Sequence, residues 1–232
     1  MDQTFTAEEA EQQRIDAMGP RLGSLCSLLV EECNLLHLEW AEYVELFGSS
    51  PERIDLLNQS AGGFFCMLQD CLWENALLHI ARLTDKSASY GKRGKENVSI
   101  LALPPLVDSA IRPRLDALIG AAETECKFAR DWRNRRIAHR DLELALGGCA
   151  TPLEAASRAS VKQALASIAG VLNALELHYL GMEIAYDSIH SHVGAKALLY
   201  VLRDGIEARN AQDLRFKSGQ LLPEDLAPKG PI

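Results

Sequence analysis

The sequence predicts an all-α fold. Aromatic residues make up only 6% of the chain, and β-branched residues are scattered without any apolar–polar alternation. Leu, Ala, Glu and Arg dominate long stretches in which apolar residues return at steps of three and four. With 232 residues, 47% hydrophobic and 24% charged, the chain can build a sizeable core, and its composition is not that of a disordered or collagenous protein. No long polar linker divides it, which favours one compact domain.

The elements follow in order. Residues 1–21 form an acidic N-terminal segment (Asp2, Glu8, Glu9, Glu11, Asp16) without the apolar stretch of a secretory signal. A first long helix runs from about Leu22 to Phe47 and stops at Gly48. A second opens with Ser49 and Ser50 as cap and Pro51 in its first turn, where the missing amide costs nothing, and continues to about Thr84. Gly62 and Gly63 inside it allow a kink or a break. Residues 86–98 (KSASYGKRGKENV) read as an exposed basic loop.

Pro104, Pro105 and Pro113 punctuate the chain before a third helix from about Arg114 to Ala138, and Gly147, Gly148 and Pro152 mark a turn after it. A fourth long helix spans roughly Ser160 to Gly181, and a shorter one covers Gly194 to Arg209. The expected architecture is a bundle of four long helices plus a short C-terminal helix over 22–210, with 211–232 a partly disordered tail. Glu31, Glu32 and Glu39 interrupt the best apolar run, so no membrane span is expected and the reading is cytoplasmic. The six cysteines show no CxxC spacing and read as reduced thiols packed as small hydrophobes, not as metal or redox ligands.

The third helix breaks its own pattern. Alternating steps of four and three give Leu115, Ile119, Ala122, Cys126 and Ala129, and then Arg133 and Arg136. The seam that should face a neighbour is apolar until Ala129 and then cationic. An unpaired guanidinium in a dry core costs several kcal/mol of desolvation, so Arg133 must meet a carboxylate, an anion or another subunit, unless the helix simply leaves the bundle there. The whole chain carries −8, yet Lys127 to Arg140 holds six cations and one acid, a local +5 in a remainder of −13. Arg forks match phosphate and aromatics stack bases, so Arg130, Arg135, Arg136 and Arg140 with Trp132 are candidates to bind RNA. Their place at a helix C-terminus also has a purely structural reason, since the helix dipole favours cations there.

Within this window stands Arg133-Asn134-Arg135-Arg136-Ile137-Ala138-His139. It resembles the hallmark of the HEPN superfamily, an Arg followed by a polar residue and, four to six positions on, a His. The HIARLTD segment (His79 to Asp85), the AHRD segment (Ala138 to Asp141) and the later GAKALLYVL look like the AbiU2-type HEPN group, associated with abortive infection against phage. The resemblance implies a HEPN-like bundle, a homodimer formed through this region, and metal-independent cleavage of RNA without a cofactor. In that role Arg133 binds the scissile phosphate, Asn134 orients it or the imidazole, and His139 is general acid or base.

On a straight helix six residues put His139 about 240° round from Arg133. Either the helix unwinds near Ile137, or the site is built from two copies of the motif across a dimer. Asp85 or Asp141 would then help neutralise the facing cations. Asn75, His79 and Arg82 share a stripe on the second helix, with the expectation that it borders the same cleft; the plainer reading pairs Arg82 with Asp85 or Glu74. His37 and His178 read as packed or surface histidines, and His190 with His192 lack a third metal ligand. The expected function is a HEPN-type endoribonuclease acting in phage defence or as a toxin, with RNA as substrate and an antitoxin or regulatory protein as a further partner. The alternative is a non-catalytic HEPN-like module that binds RNA or protein.

Overall fold

The computed structural model describes residues 6–87, 96–139, 141–147, 151–189, 191 and 193–226. These residues form helices and no β-strand. The long helices are α2 (Pro20–Phe47), α3 (Pro51–Leu83), α7 (Arg158–Leu180) and α8 (Ala195–Ser218), joined by α1 (Ala7–Met18), α4 (Arg112–Glu125), α5 (Lys127–Trp132) and the four-residue α6 (Leu142–Ala145). They divide into two compact units, one made of the chain up to Trp40 with 72–189, the other of 41–71 with the residues beyond 190. Both α2 and α3 contribute to each unit.

The first unit holds most of the core. On α2 the steps of four and three run through Leu22, Cys26, Leu29, Cys33, Leu36 and Trp40, all buried. Full burial of each leucine contributes about 1.5–3 kcal/mol. The seam read on the third helix is buried from Leu115 through Ile119, Ala122 and Cys126 to Ala129, and α4 packs chiefly on α7. Asp108 starts α4 by accepting from the amides of Ala110 and Ile111, with Pro113 in the first turn. Ser157 caps α7 through the Ser160 amide, and α7 closes on Gly181 at φ 68°, a left-handed turn that glycine adopts freely.

The second unit is built on α8 and the adjoining ends of α2 and α3, around Leu46, Leu57, Phe65 and Leu199. Glu42 accepts from the Ala195 amide at the start of α8. Arg53 donates to the Glu45 carbonyl at 2.7 Å and pairs with its carboxylate at 2.9 Å.

The structure differs from the sequence reading at five places. The acidic N-terminal segment contains α1, opened by a capping box in which Thr6 and Glu9 satisfy each other's backbone amides. The break in α3 falls at Ala61 (φ −158°, ψ 61°), just before the two glycines. The third helix is not continuous: it bends at Cys126, resumes as α5, and widens into a π-turn over Arg133–Ile137, where the Ala138 amide reaches the Arg133 carbonyl at 2.8 Å. The last helix extends to Ser218, and the chain through Leu226 stays docked because Arg215 grips Asp225 with two bonds of 2.7 and 2.6 Å. Finally, Cys26, Cys33 and Cys126 are buried thiols as read, but Cys66 and Cys71 are exposed on α3, where their side of the helix is not packed by the described residues. Cys149 lies outside the described residues.

Candidate functional site

Where the buried seam turns cationic, Arg133 finds a carboxylate. Its Nη1 lies 2.7 Å from Oδ2 of Asp85, with both side chains partly exposed. Asp85 is fixed just past the end of α3: Ser99 Oγ donates to its carbonyl at 2.6 Å, and its other carboxylate oxygen accepts from the Lys86 amide at 3.0 Å. Arg133 Nε also donates to Asn134 Oδ1 at 3.0 Å. Asp85, Arg133 and Asn134 therefore form one bonded group at the mouth of the seam.

His139 stands two residues beyond the π-turn, exposed to solvent. Among the described residues nothing hydrogen-bonds to its ring, and no bond joins it to Arg133. The helix does lose its regular geometry near Ile137, as one of the two alternatives required, but the widened turn leaves the two groups of one chain separate. Arg140 lies outside the described residues.

The other cations of the window divide by role. Arg130 is part-buried and ties three elements, donating to the Thr84 carbonyl and hydroxyl at 3.2 Å each and to the Glu123 carbonyl at 2.8 Å. Arg135 clasps the Thr151 carbonyl at 2.6 Å and faces Asp131 and Asp141 at 3.5 and 3.4 Å. Asp141 caps α6; the Leu144 amide, and then Arg135, hold its carboxyl below the usual range. Arg136 is exposed, 3.5 Å from Glu74, with its guanidinium over the Trp132 ring at 5.2 Å. Trp132 in turn meets Trp73, and Trp73 meets Trp40, at centroid distances of 6.5 and 6.0 Å. Trp132 also donates its indole N–H to the Glu154 carbonyl at 2.9 Å.

The polar stripe on α3 turns toward α2. Asn75 donates to Glu39 at 2.8 Å; the buried His79 sits between Glu32 at 2.7 Å and Glu39 at 3.6 Å; Arg82 pairs with Glu32 at 2.7 Å. Neither pairing expected for Arg82 forms, because Asp85 is taken by Arg133 and Glu74 by Arg136. The sequence reading missed Glu32 and Glu39 as partners, although both recur on α2 at the seven-residue spacing of one helix face. Arg82, Glu32 and Asp85 line a cavity of about 330 Å³ with Leu83, Asn97 and Val98, so of the stripe Arg82, and of the Arg133 group Asp85, border this space.

His37 is packed against Tyr186 and burial lowers its pKa; His178 donates to Asp108 at 2.8 Å on the surface. His190 and His192 lie outside the described residues. Among the described residues no cluster of three His, Cys, Asp or Glu side chains could hold a metal ion, and no helix is long and apolar enough to cross a membrane.

The sequence profile of the AbiU2 family of HEPN proteins matches residues 20–198, from the start of α2 into α8. No curated protein and no solved structure gives a match. The profile spans most of the chain and includes the whole Arg133 group, the α3 stripe and His139. The chain thus belongs to the AbiU2 family of HEPN proteins, an all-α module whose Arg-Asn-x4-His segment lies at the open end of its buried seam.

Proposed function

We propose that this protein is a metal-independent endoribonuclease of HEPN type that acts in phage defence or as a toxin, with its site assembled across a homodimer. The observation that supports this most is a contrast in commitment. Arg130 and Arg135 are tied into backbone carbonyls, whereas Arg133 holds one exchangeable carboxylate and His139 is open to solvent. Arg133 from one copy and His139 from the other then share a phosphate that neither motif surrounds alone.

In the reaction the RNA supplies its own nucleophile. The 2′ oxygen bonds to phosphorus while the bond from phosphorus to the 5′ oxygen breaks, leaving a 2′,3′-cyclic phosphate and a 5′-hydroxyl. His139 takes the proton from the 2′-OH and delivers it to the departing 5′ oxygen. Arg133 displaces Asp85 for the phosphate and stabilises the charge that gathers on its free oxygens, and Asn134 keeps the guanidinium aligned. Arg136, stacked on Trp132, extends the cationic surface along the strand.

The Asp85 contact also favours a second reading, a dimeric module that binds RNA or protein without cutting, because a guanidinium already neutralised by Asp85 stabilises developing phosphate charge poorly. Purified protein incubated with labelled RNA and excess chelator separates the two. Cleavage to a 2′,3′-cyclic phosphate that is lost in both Arg133→Ala and His139→Ala supports the nuclease. Salt-sensitive binding without products identifies the module.

A further inference from the structure

Helix α1 precedes the residues matched by the family profile and has no fully buried side chain. Two features dock it. Arg14 Nε meets Glu176 Oε1 on α7 at 2.7 Å, where the Glu176 side chain is completely enclosed. On α2, Gly23 lets the backbone of Arg14 and Ile15 come so near that a Cβ would stand 2.6 Å from Ile15 Cα. The joint between α1 and α2 is a single residue, Gly19, at φ 81°.

The cage around Glu176 is built for more than Arg14 supplies. Cys26 lies 3.4 Å from Glu176 Oε1, and burial, reinforced by the carboxylate, pushes its thiol up to about 12, so it stays a protonated donor. Glu176 Oε2 and the Tyr186 hydroxyl are both buried and have no hydrogen-bond partner among the described residues. Arg14 commits only Nε to one oxygen. A guanidinium carries five N–H donors in a planar fork, and one that entered end-on would engage both carboxylate oxygens. An emptied cage would leave a buried charge unpaired, so α1 departs by exchange for another cation and not by simple loss.

We propose that the Glu176 cage is a guanidinium receptor, kept closed by Arg14, and that α1 swings out about Gly19 to yield its place to an arginine side chain of another polypeptide. Cys26 reports the opening from within the cage, and Cys126, buried at the end of α4, reports global unfolding. The test uses the full chain and a thiol reagent, with labelling resolved by cysteine. Arg14→Met raises Cys26 labelling about tenfold while Cys126 stays at the wild-type rate. N-acetyl-arginine amide slows Cys26 back toward wild type, N-acetyl-lysine amide does so less, and Arg14→Met with Glu176→Gln responds to neither. A parallel rise of Cys26 and Cys126, or indifference to the arginine probe, overturns the proposal. Hydrogen exchange on the wild-type chain tests it without any substitution: N-acetyl-arginine amide speeds exchange of the α1 amides together while those around Glu176 keep their protection, and α1 exchange unchanged by the probe contradicts a releasable α1.

Discussion

Arg133 and Asp85 meet at 2.7 Å, joining the first residue of the π-turn to the second residue past the end of α3. The contact neutralises the cation that the buried seam delivers to the surface. In the proposed reaction the same guanidinium takes a phosphate oxygen, which requires substrate and Asp85 to compete for it.

Asp85→Asn removes that competitor. RNA binding then tightens and its salt dependence steepens by about one phosphate contact. Cleavage per bound RNA stays within about twofold of wild type, because the phosphate has already displaced Asp85 and Asn134 keeps the guanidinium aligned. Stability changes by less than ~1 kcal/mol, since the pair is partly exposed. Anisotropy titrations at several salt concentrations, with single-turnover cleavage, read both effects; an unchanged salt slope would show that Asp85 does not mask Arg133.

Arg130 and Arg136 separate structure from binding. Arg130→Ala strips three bonds from two carbonyls and a hydroxyl and costs about 1–3 kcal/mol in urea unfolding. Arg136→Ala stays within ~0.5 kcal/mol of wild type in the same measurement, yet weakens RNA binding and lowers its salt slope. Equal stability losses in the two variants would contradict this division.

The surface pair of Asp108 and His178 sets an acid limit. The His178 ring, followed by the Ile111 amide, lowers the Asp108 carboxyl to about 2. A carboxyl depressed in the folded state stabilises the fold above its unfolded value of about 3.9 and loses that contribution as pH falls through the folded value. Thermal midpoints of wild type should therefore exceed those of Asp108→Asn at pH 5, and the two should converge near pH 2. A gap that persists at pH 2 would mean the substitution acts through packing.

The sequence carried the seam and its change of character, because four-three spacing is a local property of a helix. Leu115 through Ala129 are buried as that spacing requires, and the desolvation argument for a partner at Arg133 is met by Asp85. The partners of Asn75, His79 and Arg82 were less legible. A stripe can be read from one helix, but Glu32 and Glu39 lie on another, and which faces meet is a tertiary choice. The π-turn has no local signature either, since its wide bond competes with an ordinary one and wins only where surrounding contacts hold it. Helix α1 was legible: Thr6 and Glu9 form a capping-box pair that the acidic composition of the segment masked.

Mixing the two inactive variants tests the central claim most directly. If each site takes Arg133 from one copy and His139 from the other, Arg133→Ala and His139→Ala chains dissociated and reassembled together produce mixed dimers with one intact site. Cleavage of labelled RNA in chelator should then return to roughly a quarter of the wild-type rate, from a loss of about a hundredfold or more in either variant alone. A mixture as inactive as its components, while the unmixed wild type cleaves, would contradict a site shared between two copies.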